Sequence, residues 1–225
     1  MSMIGLDLSR LKQKSTYDRY LSTLKYSLYV ISHPLDGFWD LTHENRGSIA
    51  AANTIVILTL LERIWMLQFT TFQFLWVDWQ YVNIFAQIAT VLFPFLIWCV
   101  GNWALTTLLD GKGTLKKIYM ASAYALTPIP LIRIPMTFIS NILTSEEFAF
   151  YNVFRQIALI WAACLVIAAI MQIHEYTIGK TIACILLTIV AMLIIIFLLL
   201  LFFSIVSDGI TYFVSVYDEI IFRLY

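Results

Sequence analysis

Long stretches of this chain carry no formal charge, and that feature limits its possible folds more than any other. Residues 79–109, 156–173 and 181–207 contain no Asp, Glu, Lys or Arg. A helix of about 20 apolar residues crosses the hydrocarbon core of a bilayer, so each stretch is a candidate membrane span. In water they would expose more apolar surface than a core built from this chain could cover. In lipid a helix satisfies its own backbone groups, which makes the expected fold an all-α integral membrane protein with the lipid bilayer as its first partner. Composition agrees: 61% of the residues are hydrophobic and 12% charged, against roughly 25% charged in soluble domains. Intrinsic disorder is excluded by the same figures. With 14 Lys+Arg balancing 14 Asp+Glu, no basic excess exists to bind nucleic acid.

Two further apolar stretches are interrupted, residues 48–69 by Glu62 and Arg63, and residues 119–143 by Arg133. The sequence therefore predicts a bundle of five transmembrane helices over 47–225, with spans near 47–69, 82–109, 118–143, 154–173 and 180–206. Residues 1–46 form a separate N-terminal segment. Arg10, Lys12, Lys14, Arg19, Lys25, Arg46, Lys112, Lys116, Lys117 and Lys180 fall on one side of this arrangement, and only Arg155 and Arg223 on the other. The positive-inside bias then predicts a cytoplasmic N-terminus and an extracytoplasmic C-terminus in the plasma membrane, or in an endomembrane if the source is eukaryotic. The first long apolar run begins near residue 47, so no cleaved signal peptide is expected. Cys99, Cys164 and Cys184 all fall within spans without CxxC spacing and read as buried structural thiols, neither a disulfide framework nor a metal site.

Within the N-terminal segment, Tyr17, Tyr20, Leu21, Leu24, Leu28 and Ile31 recur at helical spacing, with Lys14, Asp18, Arg19 and Lys25 on other faces. This predicts a cytoplasmic amphipathic helix over about 14–31 lying on the membrane surface, or docking a soluble partner. Pro34 restricts His33 to extended geometry and ends that helix; residues 33–40 are expected to form a turn presenting Phe38 and Trp39.

A segment with His33-Pro34 and Phe38-Trp39, followed by His43-Glu44-Asn45-Arg46-Gly47-Ser48 and the first span, resembles the bacterial branch of the Ypt/Rab-interacting-protein (YIP) domain family. A second match is Leu109-Asp110-Gly111-Lys112-Gly113-Thr114, followed by Ala123-Tyr124-Ala125-Leu126-Thr127-Pro128. The resemblance covers about residues 30–206 and implies five spans with a cytoplasmic N-terminus. Eukaryotic relatives, associated with small GTPases and vesicle traffic, carry an Asp-Leu-Tyr-Gly-Pro-like motif before the first span. Here Leu35-Asp36-Gly37-Phe38-Trp39 occupies that place, and no GTPase-binding residue is carried over.

The prolines of the third span, Pro128, Pro130 and Pro135, remove backbone donors and predict a kinked or broken helix. A broken span is either a structural kink or a midplane substrate site. Arg133 lies inside it, and an intramembrane arginine needs a partner or a wet cavity. Glu62 is the expected counter-ion, at similar depth on the first span. Phe72, Phe74, Trp76 and Trp79 mark an aromatic outer loop, either an interfacial belt or a stacking platform. His33, Pro34, Phe38, Trp39, Lys112, Lys116 and Lys117 form the expected cytoplasmic docking face. Small residues at four-residue spacing (Ser48 and Ala52, Ala121 and Ala125, Ala158 and Ala162) permit close helix approach. Met192 to Phe203 are uniformly large and apolar and are expected at the periphery, against lipid or a partner subunit.

No catalytic, metal-ligating or cofactor motif is legible. The sequence thus predicts a non-enzymatic scaffold or accessory subunit of a larger membrane complex, with other membrane-protein subunits as partners. Two alternatives stay open: a transporter or channel acting through the broken third span, and, for a eukaryotic source, a GTPase-recruiting traffic protein.

Overall fold

Among the described residues the backbone forms eight helices and a short 3-10 turn, Ser145–Glu147. The computed structural model describes residues 3–224 except Asn45, Trp76, Trp79, Tyr81 and Asp110; for residues 3–16 and Leu224 it describes the backbone alone. It is 85% helix, with no strand among the described residues. The elements are α1 (Met3–Ser32), α2 (Pro34–His43), α3 (Ile49–Phe69), α4 (Ile84–Leu108), α5 (Leu115–Ala125), α6 (Pro128–Ile139), α7 (Phe148–His174) and α8 (Ile178–Leu224).

Their boundaries follow local chemistry. The Ser48 hydroxyl accepts from the Ala51 N–H at 3.1 Å and caps α3, and Asn83 Oδ1 accepts from Phe85 N–H at 2.9 Å and caps α4. Thr144 and Glu147 form a capping box ahead of α7, where Glu147 accepts from the Thr144 N–H at 2.9 Å. Pro34 and Pro128 sit in the first turns of α2 and α6, where a missing N–H is no loss.

Among the described residues four helices are long and apolar enough to cross a membrane: Ile49–Phe69, Ile84–Leu108, Ser145–His174 and Ile178–Arg223. The region expected as one third span is divided. The backbone turns at Leu126 and Thr127, and α5 and α6 have 11 and 12 residues. The Thr127 hydroxyl donates to the Tyr124 carbonyl at 2.7 Å, occupying an acceptor that Pro128 cannot reach.

Three other expectations are corrected. Residues 33–40 are mostly helical rather than a turn, because Pro34 starts α2 as well as ending α1. The first helix extends back to Met3, and the face it buries is Thr23, Ser27 and Val30, while Tyr17 and Leu28 of the expected apolar stripe are exposed. That polar face is tied to the bundle: Tyr20 bonds Thr54 at 2.6 Å, Thr23 bonds Ser48 at 3.1 Å, and the Tyr124 hydroxyl donates to the Thr23 carbonyl at 3.0 Å. Cys164 is exposed, unlike Cys99 and Cys184.

The core sits where α3, α5 and α7 meet. Ala51, Ala52, Ala121, Ala125, Ala158 and Ala162 are all buried there, with Ile55, Tyr124 and Leu165. Association of helices in lipid depends on close backbone approach, and alanine permits it. The last helix contrasts with this core. It buries Thr181, Cys184 and Thr188 against α4 and α7, and none of its residues from 200 to 223 is buried.

Candidate functional site

The buried faces of α3, α6 and α7 are set by helical periodicity, and each includes one charged residue. On α3 the inward stripe is Ala52, Ile55, Val56, Thr59, Glu62 and Met66. On α6 it runs through buried Ile129, Met136 and Thr137 with Arg133 half-buried among them, and on α7 through buried Tyr151, Ala158 and Ala162 with Arg155 half-buried among them. Glu62 and Phe69, Arg133 and Ile139, and Arg155 and Phe148 are each about two helical turns apart, roughly 10 Å. The three charges therefore share one depth, below the end of the bundle where α3 and α6 finish and α7 begins.

Glu62, Arg63 and Arg133 line a cavity of about 780 Å³. Below them its wall is mainly apolar: Val91 and Phe95 of α4, Leu126 of the α5–α6 turn, Ile129 of α6, Leu159 and Ile167 of α7. Arg63 is satisfied, its Nε donating to Gln87 Oε1 at 3.0 Å. The others are not. Glu62 is 2% exposed, and Glu62 Oε1, Arg133 Nε and Arg155 Nε are buried with no hydrogen-bond partner. The guanidinium of Arg155 lies 5.6 Å from the Tyr151 ring centre, a cation–π contact that leaves its donors free.

The expected Glu62–Arg133 ion pair is not formed. Both side chains belong to the wall of one cavity, and each holds a buried polar atom that nothing fills. Arg63 is the chain neighbour of Glu62, and Arg133 shares its cavity wall. Two arginines and one carboxylate on the wall leave a positive excess, and isolated buried charge costs several kcal/mol. Arg155 escapes the sequence-level reading because it counts there as a boundary cation. Its spacing from Tyr151, Ala158 and Ala162, and the Thr144-Ser145-Glu146-Glu147 helix start ahead of it, are the signals that place it inside.

The remaining expected residues divide. The prolines lie apart: Pro128 and Pro130 are buried and Pro135 is exposed. Pro130 and Pro135 line a second cavity of about 470 Å³ between α1, α3 and α6. Phe38 is fully buried and Trp39 exposed, so the expected docking face loses Phe38. Trp39 stacks on His43, centroids 3.8 Å apart, while His33 stacks on Tyr29 and Pro34 is half-buried. Lys116 is exposed and Lys117 half-buried. In the aromatic loop after α3 Phe72 is exposed, whereas Phe74 packs against Met136 and Tyr151 and cannot serve as a platform. Trp76 and Trp79 lie outside the described residues.

The opposite end of the bundle holds a second polar group, fully connected. His174 is buried; its Nδ1 accepts from the Gly113 N–H at 3.2 Å, and its Nε2 lies 3.4 Å from Asn102 Oδ1. The Asn102 Nδ2 donates to Thr188 at 3.2 Å. These contacts fit one neutral tautomer with the proton on Nε2. Glycine is required on the loop that wraps the ring: a Cβ at Gly113 would stand 2.5 Å from His174 Cε1, and one at Gly111 2.7 Å from His174 Nδ1. Glu175 follows in the left-handed region at φ 54. Its carboxylate pairs with Lys112 and, at 3.6 Å, with His43. The Lys112 hydrogen bond holds that carboxyl below its ordinary range.

This loop, the α2 start and the alanine-lined core all fall within residues 28–202, the segment matched by the family model of the Yip1 domain. The chain belongs to the Yip1-domain family. No curated protein and no solved structure matches it. The Yip1-domain family is a membrane-protein family not known as enzymatic, and the chain is accordingly a multi-pass membrane protein.

Proposed function

We propose that this Yip1-domain protein is a non-enzymatic scaffold or accessory subunit of a larger membrane assembly. It spans the bilayer five times, α5 and α6 crossing together as the third span, with the N-terminus cytoplasmic. The observation that carries the assembly role is α8. Its 47 residues extend about 70 Å, more than twice a hydrocarbon core of about 30 Å. Only 6% of its most apolar stretch is buried in the bundle. Beyond the part that faces α4 the helix keeps Ile210, Phe213, Tyr217 and Ile220 exposed on one side, with Asp208, Ser215 and Asp218 elsewhere. An uncovered apolar stripe past the lipid boundary fits the helix of another subunit.

The test is purification of the full chain in mild detergent from its own host. A stoichiometric membrane-protein partner that is lost with Phe213→Glu and Tyr217→Glu, while the variant stays inserted and monodisperse, supports the role. A protein that purifies alone, unchanged by those substitutions, overturns it. The charged cavity favours a second reading, a transporter in its own right. Flux in liposomes that requires Arg133 and no second protein would establish that one instead.

A further inference from the structure

The cavity between α3, α4, α6 and α7 has two chemically different ends. At one end Glu62, Arg63 and Arg133 stand on the wall, two cations to one anion, with Arg133 Nε lacking an acceptor and Glu62 Oε1 lacking a donor. The other is a shaft lined by Val91, Phe95, Leu126, Ile129, Leu159 and Ile167. Its volume of about 780 Å³ lies within the range of amphiphile and drug-sized sites, about 300–1,000 Å³. The charged end is about 10 Å from the end of the bundle, within reach of a headgroup drawn slightly below the interface.

We propose that this cavity binds a phospholipid by its head. The phosphodiester is held by Arg133 and Arg63, both on the cavity wall, whose planar forks match phosphate oxygens. A head substituent bearing N–H or O–H donates to Glu62, and an acyl chain occupies the shaft. This assignment gives a partner to Glu62 and Arg133, the two wall residues that hold an unpartnered atom. An inorganic anion would leave Glu62 unserved and the shaft empty; an uncharged lipid would leave the guanidiniums unserved. A choline head has no N–H to give Glu62, so phosphatidylethanolamine and phosphatidylglycerol are preferred to phosphatidylcholine. The assignment does not depend on whether the chain works with a partner subunit.

The experiment is native mass spectrometry of the delipidated full-length protein in detergent. It is titrated with phosphatidylglycerol, phosphatidylethanolamine, phosphatidylcholine and diacylglycerol of one chain length, and separately with inorganic phosphate. The expected result is one phosphatidylglycerol or phosphatidylethanolamine per chain, bound about tenfold or more tightly than phosphatidylcholine, as loss of one charge-assisted hydrogen bond implies. Arg133→Gln and Arg63→Gln should each weaken it by about the same factor. Should either arginine variant fail to fold, Ile167→Trp, which fills the shaft from a partly lipid-facing position, should still abolish lipid binding. Glu62→Gln should reduce the preference over phosphatidylcholine. Inorganic phosphate competing as well as lipid, diacylglycerol binding as tightly as phospholipid, or indifference to head chemistry would each overturn the proposal.

Discussion

The two ends of this bundle treat buried polar groups in opposite ways. At one end Asn102, His174, Thr188 and the Gly113 backbone form a continuous network. At the other, Glu62, Arg133 and Arg155 each keep a buried atom without a partner. Both lie among membrane-crossing helices, where an unmet polar group is expensive. A satisfied network fixes the helices and the loop between α4 and α5. An unsatisfied one draws on stability won elsewhere and is the place where something else can bind. The contrast separates a structural clasp from a site, although both look like rare polar residues in an apolar sequence.

Substitutions at the clasp should therefore damage the fold, beginning with its backbone. Gly113→Ala drives a methyl group to 2.5 Å from both His174 Cε1 and Ile173 Cγ2. Overpacking of that kind costs about 1–3 kcal/mol, and the rigid ring and helix end put this case at the upper limit. Thermal unfolding in detergent should show a larger fall in Tm for Gly113→Ala than for loss of any one side-chain hydrogen bond in the clasp. Asn102→Leu comes next. It leaves His174 Nε2 without its partner, while the Thr188 hydroxyl keeps the Cys184 carbonyl, a loss of about 1–3 kcal/mol for a buried unsatisfied group. An unchanged Tm in both variants would remove the distinction between the two ends.

Glu62→Gln tests the other side. Relief of a buried, unpaired carboxylate opposes the loss of an anion beside Arg63 and Arg133, so neutralising it should change stability by at most about 1 kcal/mol in either direction. The same substitution should alter lipid preference. A fall in Tm as large as that of Asn102→Leu would mean that Glu62 is part of the fold's own electrostatics.

Much of the fold is legible from residue order alone, and what is not has identifiable physical causes. Charge-free stretches are a direct record of the solvent, so α4, α7 and the first half of α8 follow from them. The alanine pairs at four-residue spacing locate the core because small residues are what membrane helices pack with. Proline marks the break after Ala125, yet proline also starts helices, which is why a turn is expected where α2 forms. Depth alone suggests that Glu62 and Arg133 pair. Pairing needs two side chains on facing surfaces, and the space between α3 and α6 is a matter of tertiary geometry that no spacing records. Arg155 is within reach, since its i, i+3 and i−4 neighbours are inward-facing, but a cation near a span end is indistinguishable from a boundary marker by count. The clasp is visible only as a Gly-Lys-Gly turn, because its partner His174 is remote in sequence.

The smallest expected effect concerns the exposed rim of the clasp, and its sign follows from the charges. Glu175 holds Lys112 and faces His43 across α2, so its carboxyl is more acidic folded than free. A group whose folded pKa is depressed contributes stability above its ordinary value, 4.5 here, and loses it as pH falls through the folded value. The Tm advantage of the native protein over Glu175→Gln should thus be constant near neutrality and shrink only below that ordinary value. Solvent screening keeps the difference small. Since His43 faces the same carboxylate, the comparison is made in the native and in the His43→Ala background; the acid loss should persist in both, because Lys112 is the stronger partner. An advantage that vanishes only in the His43→Ala background would transfer the stabilisation to histidine, and would make this rim, rather than the unsatisfied cavity, the part of the bundle that responds to its surroundings.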